Sequence, residues 1–196
     1  MSKPKFDEEP SAVGHEHHTG GLEAGCHRLL RPLEVLECEF SVQLRLCTIL
    51  ENIADGLPHD YRACDVREAL PLVKRGQRYH IFLEEQHLFP MLRQRARVED
   101  ELEPVLAQAE HEHQIDQGLC HELCECVELL LERNEVCNPE MLGYLLRIHF
   151  ETQRRHIAWE RNVIFPLARR RLTGDDNQRL SRLMADPKSL EAHLRV

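Results

Sequence analysis

Aromatic residues and long hydrophobic runs are both scarce in this chain. Aromatics make up 5% of its 196 residues, with a single tryptophan. No apolar run approaches the length of about 18 residues that a membrane-spanning helix needs, so we expect no membrane partner. The N-terminus, Met-Ser-Lys-Pro-Lys-Phe, lacks the apolar core of a secretory signal. These absences predict a cytoplasmic protein.

An excess of positive charge is also missing. The formal net charge is −9 and the pI is about 5.8, whereas domains that bind nucleic acids usually carry a basic patch. We therefore expect no nucleic-acid partner. The chain is 42% hydrophobic and 30% charged, as in ordinary globular proteins. Its length suits one domain with a full core.

The eight cysteines do not follow a zinc-site spacing. Three of them, Cys120, Cys124 and Cys126, crowd one segment, but CxxxCxC is not a recognised zinc pattern. In a cytosol we expect reduced thiols. Free cysteine behaves as a small buried hydrophobe, and that interpretation outweighs a ligand or redox role.

Apolar residues recur with a period near 3.6 through most of the chain, which predicts an all-α fold. The expected helices cover residues 32–54, 65–87, 101–133 and 139–161, with a shorter helix over 175–184. Short connections favour an up-down-up-down four-helix bundle. We divide the chain into a flexible tail (1–28) containing His15, His17 and His18, a bundle (29–173), and a C-terminal helix and tail (174–196).

One sequence motif of eleven residues, called here the repeated phrase, occurs twice. His80-Ile-Phe-Leu-Glu84-Glu-Gln-His-Leu-Phe89-Pro90 returns as His156-Ile-Ala-Trp-Glu160-Arg-Asn-Val-Ile-Phe165-Pro166. Residues four apart share a helix face, so each copy directs an imidazole and a carboxylate to one place. In an up-down-up-down bundle the two copies lie on parallel helices at the same depth. His113, on the inner stripe of the third helix, adds another imidazole.

These five side chains predict a metal centre inside the bundle. His80, Glu84, His113, His156 and Glu160 offer nitrogen and oxygen ligands, which suit iron, manganese or zinc better than magnesium or calcium. Burying them without a cation would be costly. The alternative is a hydrogen-bonded or solvated polar layer without metal. Two further histidines lie on the same stripes and either orient ligands or fill the core: His87 and His149.

The two Phe-Pro segments, together with Glu112-His113, resemble the signatures of hemerythrin-like, HHE cation-binding domains over about residues 30–185. The resemblance implies a four-helix bundle with a non-haem di-iron centre. Its terminal ligands would be His80, His113 and His156, and Glu84 and Glu160 would bridge the irons. Iron ranks ahead of zinc and manganese on this basis.

Two positions depart from the family pattern. Phe40 stands where the first helix would supply a histidine, and a phenyl ring cannot ligate a metal. On the third helix, Gln117 occupies the position one turn beyond His113 where a second ligand is common. A centre with two irons is expected, and one with a single iron is the alternative.

Three functions are compatible with this pattern. The first is a binding or sensing protein for O2 or another small diatomic ligand, for redox state or for iron, and we favour it over an enzyme. The second is a di-iron enzyme that scavenges peroxide or nitric oxide, or donates iron for repair. The third is an interaction protein with a vestigial site.

Overall fold

Every regular element in the described part of the chain is helical. The computed structural model describes residues 31–133 and 138–185, except for the side chains of 75–77 and 133. Within these ranges there is no strand, which confirms the predicted all-α class. The predicted tail (1–28) and its histidines lie outside the described residues. The proposed boundaries at 29 and 173 remain predictions.

Four long helices form the body of the structure, and three shorter helices follow two of them. The long helices are α1 (Pro32–Gly56), α2 (Ala63–Leu83), α4 (Leu102–Arg133) and α5 (Pro139–Trp159). The shorter ones are α3 (Phe89–Arg95), α6 (Phe165–Arg171) and α7 (Gly174–Met184), and a 3-10 turn covers Val98–Asp100. The long helices begin and end within a few residues of their expected positions.

Local sequence explains several of these boundaries. Proline stands at the first helical turn of α1 and α5, where its missing N–H costs nothing. The Asn138 side chain caps α5 by accepting a hydrogen bond from the Met141 backbone N–H at 3.0 Å. Thr173 and Asp176 form a reciprocal capping box at the start of α7.

The two Phe-Pro segments continue their helices through a wider turn. A π turn at Glu84–Leu88 joins α2 to α3, and another at Glu160–Ile164 joins α5 to α6. Proline lacks an N–H and crowds the carbonyl one turn earlier, so a local widening accommodates it. Each π turn begins at the glutamate of the repeated phrase.

Neighbouring long helices make antiparallel contacts. As one helix advances, its contacts move backwards along the next; the contacts are Glu39–His80 and Arg45–Glu68 between α1 and α2, Glu85–His113 and Lys74–Glu128 between the α2 segment and α4, Glu112–His156 and Cys120–His149 between α4 and α5, and Gln43–Gln153 and Ala54–Arg147 between α1 and α5. All four segments therefore surround one interior.

Two apolar clusters fill that interior at different heights. One contains Leu36 and Leu106 together with the phenylalanines of both Phe-Pro segments. The other contains Leu50 and Leu146. On α1, α4 and α5 the positions between the two clusters are taken by buried polar residues, so the polar layer lies inside the bundle. No helix in the described ranges is long and apolar enough to cross a membrane.

Candidate metal centre

Four buried side chains converge in the polar layer. Glu84, His113, His156 and Glu160 each offer one ligand atom, and all four atoms lie within 4.8 Å of one another. Glu84 and Glu160 are completely shielded from solvent. Each glutamate follows its histidine by four residues, so the two side chains lie on the same helix face. This group has two nitrogen and two oxygen donors.

His80 lies against the same two carboxylates. Its Nε2 is 3.4 Å from Glu84 Oε1 and 3.4 Å from Glu160 Oε2. The structure thus brings together all five residues that the sequence nominated as ligands, here called the central cluster. His113 and His156 approach each other, with their Nε2 atoms 3.1 Å apart, whereas His80 reaches the carboxylates from another side.

Each imidazole of the central cluster has a second carboxylate behind it. The Nδ1 atoms of His80, His113 and His156 contact Glu39, Glu85 and Glu112, at 3.1, 2.8 and 2.8 Å respectively. When Nδ1 carries the proton and donates it to such a carboxylate, the Nε2 lone pair points inward for a metal. The three outer carboxylates, Glu39, Glu85 and Glu112, therefore orient the imidazoles.

The outer carboxylates were not predicted from the sequence to be functional groups. Each of them is adjacent in sequence to an inward-facing residue: Glu39 to Phe40, Glu85 to Glu84, and Glu112 to His113. That adjacency was the available signal. A residue beside an inward position lies at the edge of the buried face, from which its side chain can reach a neighbouring helix.

The charges of the central cluster depend strongly on one another. Burial alone would lower the pKa of His113, but Glu160, Glu84 and Glu85 raise it to about 11. The pKa of His80 is raised well above its ordinary value, since nearby carboxylates outweigh its burial. Burial alone would raise the pKa of Glu160, and the three imidazoles instead hold it well below its usual range. The imidazoles and Glu160 therefore stabilise one another's charged forms.

The donor atoms fit a transition-metal cation. Both oxygens of Glu84 and Oε1 of Glu160 are buried without a well-formed hydrogen bond among the described residues. Imidazole nitrogens lie close to them; His156 Nε2, for example, is 2.7 Å from Glu160 Oε1. Buried acceptors with unused lone pairs are costly, and a cation at this point would satisfy them. Mixed imidazole and carboxylate ligation suits iron, zinc or manganese.

Phenylalanine rings pack against the histidines of the central cluster. Phe89 stacks in parallel on His113, with ring centroids 6.1 Å apart. Phe40, which is 1% exposed, contacts both His80 and Phe165, at centroid distances of 5.3 and 5.0 Å. Phe40 thus occupies the place expected for it, as an apolar wall in the layer of the histidines.

Helix α4 presents a slightly different face to the interior from the face that the sequence predicted. Gln117 is exposed, whereas Asp116 is 2% exposed and faces the interior. Burial raises the pKa of Asp116, and its Oδ1 accepts a hydrogen bond from Thr152 at 3.2 Å. The inner position one turn beyond His113 therefore belongs to Asp116, and the expectation for Gln117 was wrong by one residue.

His149 lies on α5 beside the apolar cluster that contains Leu50 and Leu146. Its ring is fully buried, its Nδ1 is 3.9 Å from Cys120 Sγ, and burial lowers its pKa to about 4. Cys47 is also fully buried, and burial raises the pKa of its thiol to about 11. Neutral groups packed in this way are consistent with core residues, the interpretation favoured for the cysteines.

Comparisons with known proteins agree with the geometry. No curated protein and no solved structure matches the chain significantly. The family model of the Hemerythrin HHE cation binding domain matches residues 41–193, which is more than half of the chain and includes the whole central cluster. The protein therefore belongs to the hemerythrin HHE cation-binding domain family.

Proposed function

We propose that this protein binds non-haem iron at the central cluster and uses it to bind or sense O2 or another small diatomic ligand, redox state or iron. The ligands would be His80, Glu84, His113, His156 and Glu160. They would be held in an up-down-up-down four-helix bundle. Bound iron would supply redox activity and an exchangeable coordination position.

The observation that carries the proposal is the two-layered arrangement of charged groups. Three buried imidazoles meet two fully buried carboxylates, and each imidazole is backed by an outer carboxylate. Leaving such groups without a cation costs several kcal/mol in desolvation. An arrangement that only stabilised the fold would not need Nε2 atoms and carboxylate oxygens from several helices to converge on one buried point.

The surroundings favour binding or sensing over turnover. Phe40 and Phe89 face histidines of the centre with apolar surface, and Phe165 packs against Phe40. Apolar walls admit a small uncharged molecule such as O2 and offer few groups with which to orient a larger substrate. The chain's own contribution is to orient the imidazoles, hold the two carboxylates and exclude water.

The test is a metal analysis of the protein purified without added metal. We expect iron to exceed zinc and manganese, with near-ultraviolet absorption from the ferric form. His156→Ala should lose most of the iron, whereas His121→Ala is the matched control, because His121 is an exposed histidine about two helical turns beyond His113. After reduction, O2 should change the spectrum, and its removal should reverse the change.

Two results would contradict the proposal. The first is a parent protein that holds no metal after purification and after anaerobic incubation with ferrous ion. The second is equal iron retention by His156→Ala and His121→Ala. Sustained consumption of peroxide by the iron-loaded protein would instead support the enzymatic alternative.

A further inference from the structure

The centre is built from two similar halves. In the α2 and α5 segments, His80, Glu84 and Phe89 correspond to His156, Glu160 and Phe165. In α1 and α4, the pair Glu39-Phe40 corresponds to Glu112-His113. Within each half, the glutamate of the first helix contacts Nδ1 of the histidine on the second: Glu39 with His80, and Glu112 with His156.

The contact between the halves occurs twice, with different chemistry. Glu85, which follows Glu84, contacts His113 Nδ1 at 2.8 Å. By the same correspondence, Arg161 follows Glu160 and should lie against Phe40. It does, with its guanidinium carbon 5.9 Å from the centroid of the Phe40 ring.

The four contacts Glu39–His80, Glu112–His156, Glu85–His113 and Arg161–Phe40 are here called the corners of the centre. At the fourth corner both residues differ in type from those at the other three. Where the other three corners pair an imidazole with a carboxylate, this one pairs a phenyl ring with a guanidinium. A cation over an aromatic face is favourable, as is a carboxylate beside an imidazole N–H. The mixed combinations are poor, because a guanidinium cannot accept a hydrogen bond and the negative face of a phenyl ring repels a carboxylate.

We propose that Phe40 and Arg161 are a matched pair that limits the centre to one firmly held metal ion. This inference rests on the proposed function. The firm site is formed by His113, His156 and the two buried glutamates, whose ligand atoms are mutually close. On the other side of the centre, His80 is the one imidazole. The Phe40 ring stands in the place of a second imidazole, and the positive charge of Arg161 lies close to that ring.

The pair predicts non-additive behaviour on reversal. Phe40→His alone places an imidazole beside a guanidinium that cannot orient it, so the metal count stays at one. Arg161→Glu alone supplies a carboxylate with no imidazole to hold. The double variant Phe40→His/Arg161→Glu recreates the arrangement seen at Glu85 and His113, and we expect it to bind a second ion.

The experiment is a count of ferrous ions per chain after anaerobic loading and desalting, for the parent, both single variants and the double variant. Phe40→Leu controls for the loss of the ring, and Arg179→Glu repeats the charge change at an exposed position on α7. Circular dichroism and thermal melts show that each variant is folded. We expect one ion in the parent, the single variants and the controls, and two in the double variant.

The outcomes separate this inference from the proposed function. A parent without any retained ion overturns the proposed function and this inference with it. A parent with one ion and a folded double variant with one ion overturns the matched pair alone. Two firmly held ions in the parent, or in Phe40→His alone, also overturn it, and the parent count needs no variant to fold.

Discussion

Removing the outer carboxylate of His156 should weaken metal binding while leaving every predicted ligand in place. Glu112 has two close donors: Oε1 accepts from Gln108 Nε2 at 2.8 Å, and Oε2 contacts His156 Nδ1 at 2.8 Å. Arg155 Nε lies farther away, at 3.8 Å from Oε1. Glu112→Gln keeps one oxygen for these two donors and removes the negative charge. Glu112→Ala removes both acceptors.

The size of the effect follows from the role of the contact. Loss of a carboxylate behind a metal-bound imidazole typically lowers metal affinity about 10–100-fold, or about 1.4–2.7 kcal/mol. We expect Glu112→Gln near the lower limit, because its remaining oxygen can still accept from His156 part of the time. Glu112→Ala should lie near the upper limit, with a free imidazole ring and no preferred tautomer.

The assay is an anaerobic competition titration of ferrous ion between the protein and a chromophoric chelator. Glu128→Gln is the matched control, since Glu128 lies on the same helix but pairs with Lys74 at the surface. Unchanged affinity in Glu112→Ala, with the fold intact, would refute the argument that this carboxylate orients a metal ligand. Equal losses in Glu112→Gln and Glu128→Gln would show a general charge effect instead.

Three other predictions concern the central cluster and its support. Glu84→Ala and Glu160→Ala should each sharply reduce the iron content measured by elemental analysis, and full occupancy in both would defeat the ligand assignment. Metal affinity should rise from about pH 6 to about pH 8 with release of protons, because protonated imidazoles cannot coordinate and the pKa of His113 is about 11 without metal; a pH-independent affinity would contradict this. Leu146→Ala, in the apolar cluster that contains Leu50 and Leu146, should lower the free energy of unfolding in urea by about 2–5 kcal/mol without changing the metal count. Leu129 is more exposed, so Leu129→Ala should change the free energy of unfolding little. Equal effects of the two substitutions would show that the cluster is not a core.

Much of the fold could be predicted because the information is local. An apolar stripe with a period of 3.6 identifies a helix and its inner face, and proline or a capping residue marks where it begins. The repeated HxxxE phrase likewise identified Glu84, His156 and their counterparts, since residues one turn apart must share a face. The family resemblance rested on the same local signals.

The register of α4 was harder to predict. Residues at i+3 and i+4 lie on either side of an inner line; the sequence interpretation placed Gln117 inside, whereas Asp116 is the buried residue. The rotation of the helix is set by its packing against α2 and α5, where Asp116 finds Thr152. The π turns were also missed, because a Phe-Pro segment signals an irregularity but not its type.

The sequence by itself determined that the chain is helical and which side chains share each inner face, because both follow from the spacing of residues within one helix. Only the tertiary structure decided which residues meet across helices. Glu39 behind His80, Glu85 behind His113 and Arg161 over Phe40 depend on the relative height and rotation of two helices, and those are set by the packing of the whole interior.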